Sequence, residues 1–511
     1  MINLRETYRV SDEYTRIALV SLFVLVCGGL LAAVFLSPTL VLGSLLAVVT
    51  VWITFFRPQW SLAFLLFYLP FEPFLLKWVP DDLYVYARYF SEGLVYLLVI
   101  SVFWKILTGK IAWRGTNADL PFLLLVIFAL ASAVVNLVPA WSAILGIRQI
   151  IRFILLFFVT VYLRPQLKWI KTVAVGLAII VALQIIIGFS QVAVGEPLDN
   201  FLIPSESRSF GEIQLTSGTV RFWDPGSRIF ATMGRYDQLG TWLALMMLFM
   251  VAILYEPKLK QYHAVVAGLF MASIPALVLT YSRSAWFGFL LGFLFIALYA
   301  KRDHRVLIGV GASTLIIIIY LAFSGLVVNR LVEGADQSII ERFFEAFSYE
   351  RWSGEYYGLG RLYWIVQTIV TVVPSSPIFG FGPATYGGGA VAALGNTGVY
   401  DTLGLPFGVY GTEGYVDNNW MSLWGELGTV GLALYLWIYV GVFGYCLRVW
   451  RKSKKMITRT LAISVAAIFI AVALNAFLAT FLEVRTLAVY LWVFAGLVYV
   501  RSEQEKLREE E

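Results

Sequence analysis

The chain has 511 residues, of which 60% are hydrophobic and 14% charged, with a formal net charge of +6 at pH 7. Soluble domains are roughly 45–50% apolar and roughly 25% charged, so this composition excludes an ordinary soluble domain and indicates a polytopic membrane protein. The basic residues fall in short loops between apolar runs, which argues against a nucleic-acid partner. The two cysteines, Cys27 and Cys446, lie inside apolar runs, which excludes a disulfide framework or a cysteine metal cluster.

Taken in order, the N-terminus lacks a short apolar stretch with a small-residue cleavage site, so the first run reads as a retained anchor. Fourteen runs read as spans: 16–37, 39–56, 61–76, 91–108, 119–138, 145–163, 170–194, 237–255, 263–281, 285–300, 306–327, 423–447, 460–481 and 485–500. Their lengths suit helices rather than barrel strands. The expected fold is an all-α polytopic bundle of about 14 spans with a large external loop of short amphipathic helices. The chain divides into N-terminal helices over 1–194, central helices with a first external loop over 195–327, a large external loop over 328–422, and C-terminal helices with a tail over 423–511.

Lys and Arg concentrate in alternate short loops and in the Arg448–Arg459 cluster, which predicts cytoplasmic N- and C-termini. Two long segments, 195–236 and 328–422, then face the outside. In the second, Ile339, Ile340, Phe343, Phe344 and Phe347 recur at helical spacing, which predicts a helix resting on the membrane surface. Another helix is expected from Arg361 to Val373, ended by Pro374 and Pro377. The glycine-rich run from Phe379 to Gly389 suits close approach of backbone to another surface. No Lys-Ser/Thr follows it, so it is not a phosphate loop.

Neither long outer segment contains a lysine; their cations, and those of the run 145–163, are all arginines. The guanidinium fork matches phosphate oxygens and stays charged, so this face suits a lipid-linked phosphate or diphosphate. The alternative is interfacial snorkelling of each arginine. Arg283, within Tyr281-Ser-Arg-Ser-Ala-Trp286, sits at the turn between two apolar runs, where a cation is costly unless paired or working on a ligand. Arg148 and Arg152 lie one helical turn apart and share a face. His263 and His304 both fall at cytoplasmic ends, so an external base must be a carboxylate: Asp224, Asp237, Glu413, Asp417 or Glu426. Asp417, just before a span, serves equally well as base or as helix N-cap. Asp81-Asp82 reads as an exposed turn after Pro80, or as acids for a divalent metal. No HExxH, GxSxG or Walker pattern is present.

Four stretches resemble the O-antigen ligase and polymerase superfamily. They are Arg228-Ile-Phe-Ala-Thr-Met-Gly-Arg-Tyr-Asp-Gln-Leu-Gly240; Ser282-Arg-Ser-Ala-Trp-Phe-Gly288; Arg361-Leu-Tyr-Trp364 with Pro377-Ile-Phe-Gly-Phe-Gly382; and Asp417-Asn-Asn-Trp-Met with Glu426 and Gly428. The resemblance implies a GT-C-like bundle in the bacterial inner membrane with its active site on the periplasmic side. It implies an inverting, metal-independent glycosyl transfer, without cofactor, from an undecaprenyl-diphosphate-linked glycan to a glycan or lipid A-core acceptor. Membrane lipids are the surroundings and no nucleic acid is a partner. Carried over by position, Arg228 and Arg283 become diphosphate ligands, with Arg361, Arg235, Arg148 and Arg152 as further candidates. Asp417 becomes the base, with Asn418 and Glu426 supporting it. Ligases of the family carry histidine where Asp417 stands, so ligase and polymerase both stay open. Arg235-Tyr-Asp237 stands where the family has Pro-Asn. A transporter or flippase of lipid-linked glycans is the main alternative, and a metal-dependent enzyme using early outer acids is a third reading.

Overall fold

The computed structural model describes residues 38–204, 207–210, 213–216, 226–323, 349–408 and 416–510, with Gly28 and Phe343 besides. The expected span 16–37 and the expected surface helix near 339–347 lie outside the described residues, those two positions apart. The main helices in chain order are α1 (Pro38–Phe56), α2 (Pro58–Tyr68), α3 (Phe90–Leu107), α4 (Asp119–Val135), α5 (Ala140–Ile151), α6 (Ile154–Leu163), α7 (Leu167–Val194) and α8 (Tyr236–Leu254). They continue with α9 (Lys260–Leu279), α10 (Arg283–Leu294), α11 (His304–Phe323), α12 (Arg361–Gln367), α13 (Asn419–Lys452), α14 (Met456–Asn475) and α15 (Arg485–Glu510). One departure from an all-α chain is a short antiparallel pair, β1 (Ser207–Phe210) with β2 (Ile213–Thr216), in register Ser207 to Thr216 and Phe210 to Ile213.

Among the described residues, seven helices are long and apolar enough to cross a membrane, or up to eight if the α5–α6 pair is one span. Three of the expected spans outside that number have local causes. The run 61–76 breaks after Tyr68 and resumes at Glu72–Leu76, with Pro70 in the gap and Pro73 in the restart. A proline removes a helical hydrogen bond and disfavours helix in the residue before it. The run 145–163 is two helices bent by 55° about Arg152 and Phe153. The run 119–138 is a helix of 17 residues, ending at Val135.

The centre is built where α8, α10 and α14 pack against one another. Gly292 is their contact point: a Cβ there would lie 2.7 Å from Leu248 Cδ1 and 3.2 Å from the Ala467 carbonyl. Bundle contacts separate the molecule into two ends. One end gathers the starts of α8, α13 and α15 and the finishes of α9 and α14, through Thr486 Oγ1 to Gln238 Oε1 (3.0 Å), Asn419 N to the Ala476 carbonyl (2.9 Å) and Ile229 N to the Leu279 carbonyl (3.2 Å). At the other end, Arg114 and Arg164 meet Glu503, and Glu505 accepts from Ser453 Oγ at 2.6 Å. The second end holds the short basic loops.

Candidate functional site

Arg283 opens α10 directly after a three-residue reversal. Tyr281 adopts φ 52°, a left-handed conformation uncommon for a bulky residue. The reversal is held by the Leu277 carbonyl, which accepts from Thr280 Oγ1 at 2.6 Å and from Trp286 Nε1 at 2.9 Å. Those bonds occupy a carbonyl in the last turn of α9, where carbonyls lose their intrahelical partners. Trp286 of the Ser-Arg-Ser-Ala-Trp signature is thereby a hairpin clasp. Ser282 at the N-cap makes no capping bond; its hydroxyl meets Ser284 Oγ at 3.2 Å. A cation in the first turn opposes the helix dipole by roughly 0.3–1 kcal/mol. An anion arriving at that turn reverses the sign, because the helix N–H groups and the guanidinium then act on it together.

The Arg228 segment joins the same helix end, since Ile229 N donates to the Leu279 carbonyl at 3.2 Å. The Arg228 guanidinium lies 4.3 Å from the Tyr236 ring centroid. Arg235 forms a fork on Asp237, with Nε to Oδ1 at 3.0 Å and Nη2 to Oδ2 at 2.9 Å.

Arg361 and Asp417, 56 positions apart, are brought together: Arg361 Nη2 donates to Asp417 Oδ2 at 3.0 Å. Trp364 sits three residues on, on the same helical face as Arg361. It is buried between Tyr386 and Tyr400, with ring centroids 6.4 and 5.6 Å away, and so anchors α12. The start of α12 is held by Glu355, whose Oε2 accepts from Arg361 N at 2.9 Å while Arg351 pairs with its other oxygen. The cap of α13 is Asn418, not Asp417. Asn418 Oδ1 accepts from Met421 N at 3.1 Å, and its Nδ2 donates to the Phe477 carbonyl at 2.9 Å. The side chain of Asp417 is left to Arg361.

Glu426 lies one residue before Leu427 and two before a break in α13, where Gly428 adopts φ 63° and ψ −171°. The glycine-rich segment docks on this break. Phe381 N, Gly382 N and Thr429 N bond to the carbonyls of Gly425, Glu426 and Pro377 at 3.0, 2.8 and 2.9 Å. Gly387 N donates to Glu426 Oε1 at 3.2 Å. A Cβ on Gly387 would lie 2.2 Å from Ser422 Cβ, so the backbone approach expected of the run is realised here. Beside it is a small cavity lined by Gln149, Asn419, Ser422, Glu426, Tyr435 and Glu483 among others. Glu483 accepts from Asn419 Nδ2 and Gly389 N, both at 3.1 Å. Burial pushes its carboxyl up, against the pull of the Gly389 N–H and of Gln149.

Arg148 and Arg152 do share a face, and it is turned to Glu92 of α3. Arg148 Nε is 3.2 Å from Glu92 Oε1, and Arg152 Nη1 is 2.9 Å from Oε2. Arg152 Nη2 also donates to the Glu483 carbonyl at 2.8 Å. Next to them, Arg485 Nη1 reaches the Arg88 carbonyl at 2.6 Å, Ser91 Oγ at 3.0 Å and Glu72 Oε1 at 3.3 Å. Sequence reasoning missed Glu92, Glu72, Glu483 and Gln149. The acids sit at or near the edges of apolar runs, where a carboxylate is costly unless it has a cationic partner, and that signal was available. Asp81-Asp82 begins the helix Asp81–Arg88 directly after Pro80. Among the described residues, no group of three or more His, Cys, Asp or Glu side chains converges.

No curated protein matches the chain. The O-antigen ligase family model matches residues 266–436. That stretch holds Arg283, Arg361, Asp417, Asn418 and Glu426, whereas Arg148, Arg152, Arg228 and Arg235 lie outside it. With seven helices among the described residues long and apolar enough to cross a membrane, this match over part of the chain supports the O-antigen ligase/polymerase superfamily and a multi-pass membrane protein.

Proposed function

We propose that this protein is a membrane glycosyltransferase joining a polyprenyl-diphosphate-linked glycan to an acceptor hydroxyl, with inversion and without a metal. In this reading the bundle has about 14 spans, both termini are cytoplasmic, and the site faces the outer side of a bacterial inner membrane. The observation that carries it is the pairing of Arg361 with Asp417, at the bundle end where Asn419 bonds the finish of α14. Gly288, five residues after Arg283 on α10, abuts Asn475 at that same finish. Arg283, Arg228 and Arg361 take the diphosphate, and fixed cations stabilise the charge developing on the leaving group. The 3.0 Å bond from Arg361 orients the Asp417 carboxylate, which accepts the proton of the attacking hydroxyl. The C–O bond from the acceptor oxygen to the anomeric carbon forms as the anomeric carbon–diphosphate bond breaks, and the electron pair leaves on the polyprenyl diphosphate. Asn418 and Glu426 hold the Asp417 stretch and the glycine-rich segment. Arg148, Arg152 and Arg235 we assign to structure, since Arg148 and Arg152 both hold the single Glu92 carboxylate and Arg235 pairs with Asp237.

The test is transfer by the purified protein with a lipid-diphosphate-linked glycan as donor, read as new glycosidic product. Arg283→Ala should abolish transfer, and EDTA should leave it intact. Full activity of Arg283→Ala would overturn the assignment. Movement of the donor across the bilayer without new bonds would favour a flippase instead.

A further inference from the structure

The segment carrying Arg228 is short of secondary structure, yet three successive residues of its described part, Phe230, Ala231 and Thr232, are bonded to one face of α7. Gln184 and Gln191, seven residues apart and both buried in a predicted span, point to the same side. Gln191 Oε1 accepts from both Phe230 N (3.1 Å) and Ala231 N (2.7 Å). Its Nε2 donates to Asp199 Oδ1 at 2.6 Å, and Asp199 Oδ2 accepts from Gly226 N at 2.5 Å. Gln184 forms a second clasp, accepting from Thr232 N at 3.2 Å and donating to Thr232 Oγ1 at 2.6 Å. Thr232 Oγ1 passes the chain of bonds on to the Pro70 carbonyl at 2.8 Å. Between the two glutamines, Gly188 leaves room for Ile229; a Cβ there would lie 2.9 Å from Ile229 Cδ1.

Two facts set this apart from ordinary loop packing. Ala231 is held at φ 48°, which a residue with a Cβ seldom adopts unless its surroundings over-determine it. Buried amides in a lipid span are costly, and here every amide atom of the two glutamines is used on the segment 226–232 or on Asp199, which holds it. On its opposite side the segment is tied to the Arg283 hairpin by Ile229 N and the Leu279 carbonyl. The segment is thus gripped from α7 on one side and registered to the Arg283 turn on the other.

We propose that Gln184, Gln191 and Asp199 are positioning residues that hold Arg228 in register with Arg283, so that both cations meet one diphosphate. This deepens the function proposed above and rests on Arg228 being a diphosphate ligand. The glutamines touch no substrate; they act through the backbone of 226–232.

The test is a double-mutant cycle on the full-length protein in lipid nanodiscs, reading affinity for undecaprenyl diphosphate as the probe. Arg228→Ala should weaken binding about tenfold, the loss expected for one charged contact. Gln191→Leu should weaken it comparably, and the two together should be no worse than Arg228→Ala alone. The paired exchange Gln191→Glu with Asp199→Asn keeps every bond by reversing one donor and acceptor, and should restore binding that Asp199→Asn alone loses. If Gln191→Leu does not fold, the comparison of Asp199→Asn with the paired exchange decides. Losses that add in the double variant, or a paired exchange no better than Asp199→Asn, would overturn the positioning role while leaving Arg228 a ligand. Unchanged binding in Arg228→Ala would overturn the ligand reading itself, and the positioning role with it.

Discussion

Adjacent residues Asp417 and Asn418 should separate cleanly into chemistry and stability. Asn418→Ala removes the cap bond from Met421 N and leaves the Phe477 carbonyl without its amide donor. A cap is worth about 1 kcal/mol and a further hydrogen bond about 1 kcal/mol, so the loss should be about 2 kcal/mol. Asp417→Ala removes a single ion pair to Arg361 whose side chains are 28% and 33% exposed. Partly exposed pairs contribute about 0–1 kcal/mol, so this variant should unfold almost as the unaltered protein does. Its transfer activity should nevertheless be lost, and Asp417→Asn should behave alike because geometry is kept while proton-accepting capacity is not. Denaturant titration in detergent gives the first quantity and glycan transfer the second. A larger stability loss in Asp417→Ala than in Asn418→Ala would refute the cap assignment. Full transfer by Asp417→Asn would refute the base.

Gly387→Ala should cost about 1–3 kcal/mol or more by thermal unfolding, because the new Cβ falls 2.2 Å from Ser422 Cβ and the glycine-rich segment must lift off α13. Arg152→Ala should destabilise by at most about 3 kcal/mol, since it removes one of two cations from the buried Glu92 carboxylate. Adding Glu92→Gln should deepen that loss, because it takes away the Arg148–Glu92 pair that remains, measured in the same unfolding assay. At the basic end, burial pushes the Glu505 carboxyl up, but bonds from Ser453 Oγ and from the N–H groups of Lys455 and Lys454 outweigh it and hold it below the usual range. The ionised form is therefore favoured by folding. Its stabilisation should be present above the unfolded carboxyl's value of about 4.3 and lost as pH falls through the lower folded value, and Glu505→Gln should flatten that part of the pH–stability profile.

Much of the architecture is local and was legible from the residues alone. A membrane helix satisfies its own backbone within one apolar run, so the positions of α3, α7, α8, α9, α10 and α14 follow from hydropathy without knowledge of neighbours. The turn that carries Arg283 and the close approach of the Phe379–Gly389 run are also written locally, in a cation between two apolar runs and in glycine spacing. What pairs with what is not local. Arg148 and Arg152 have the same sequence signature as a substrate-binding pair, and only the packing of α3 shows that Glu92 meets them. Asp417 and Asn418 are equally good caps by residue type, and the choice depends on the Phe477 carbonyl arriving from another helix end. Gln184 and Gln191 lie in an apolar run, a signal that the reading of the sequence passed over, and their partners at 226–232 appear only once the chain returns. Sequence by itself determined the spans of α3, α7, α8, α9, α10 and α14, because burying a backbone in lipid is a requirement each segment meets alone. The tertiary structure decided which charge meets which, because a pairing depends on the partner that a distant segment brings beside it.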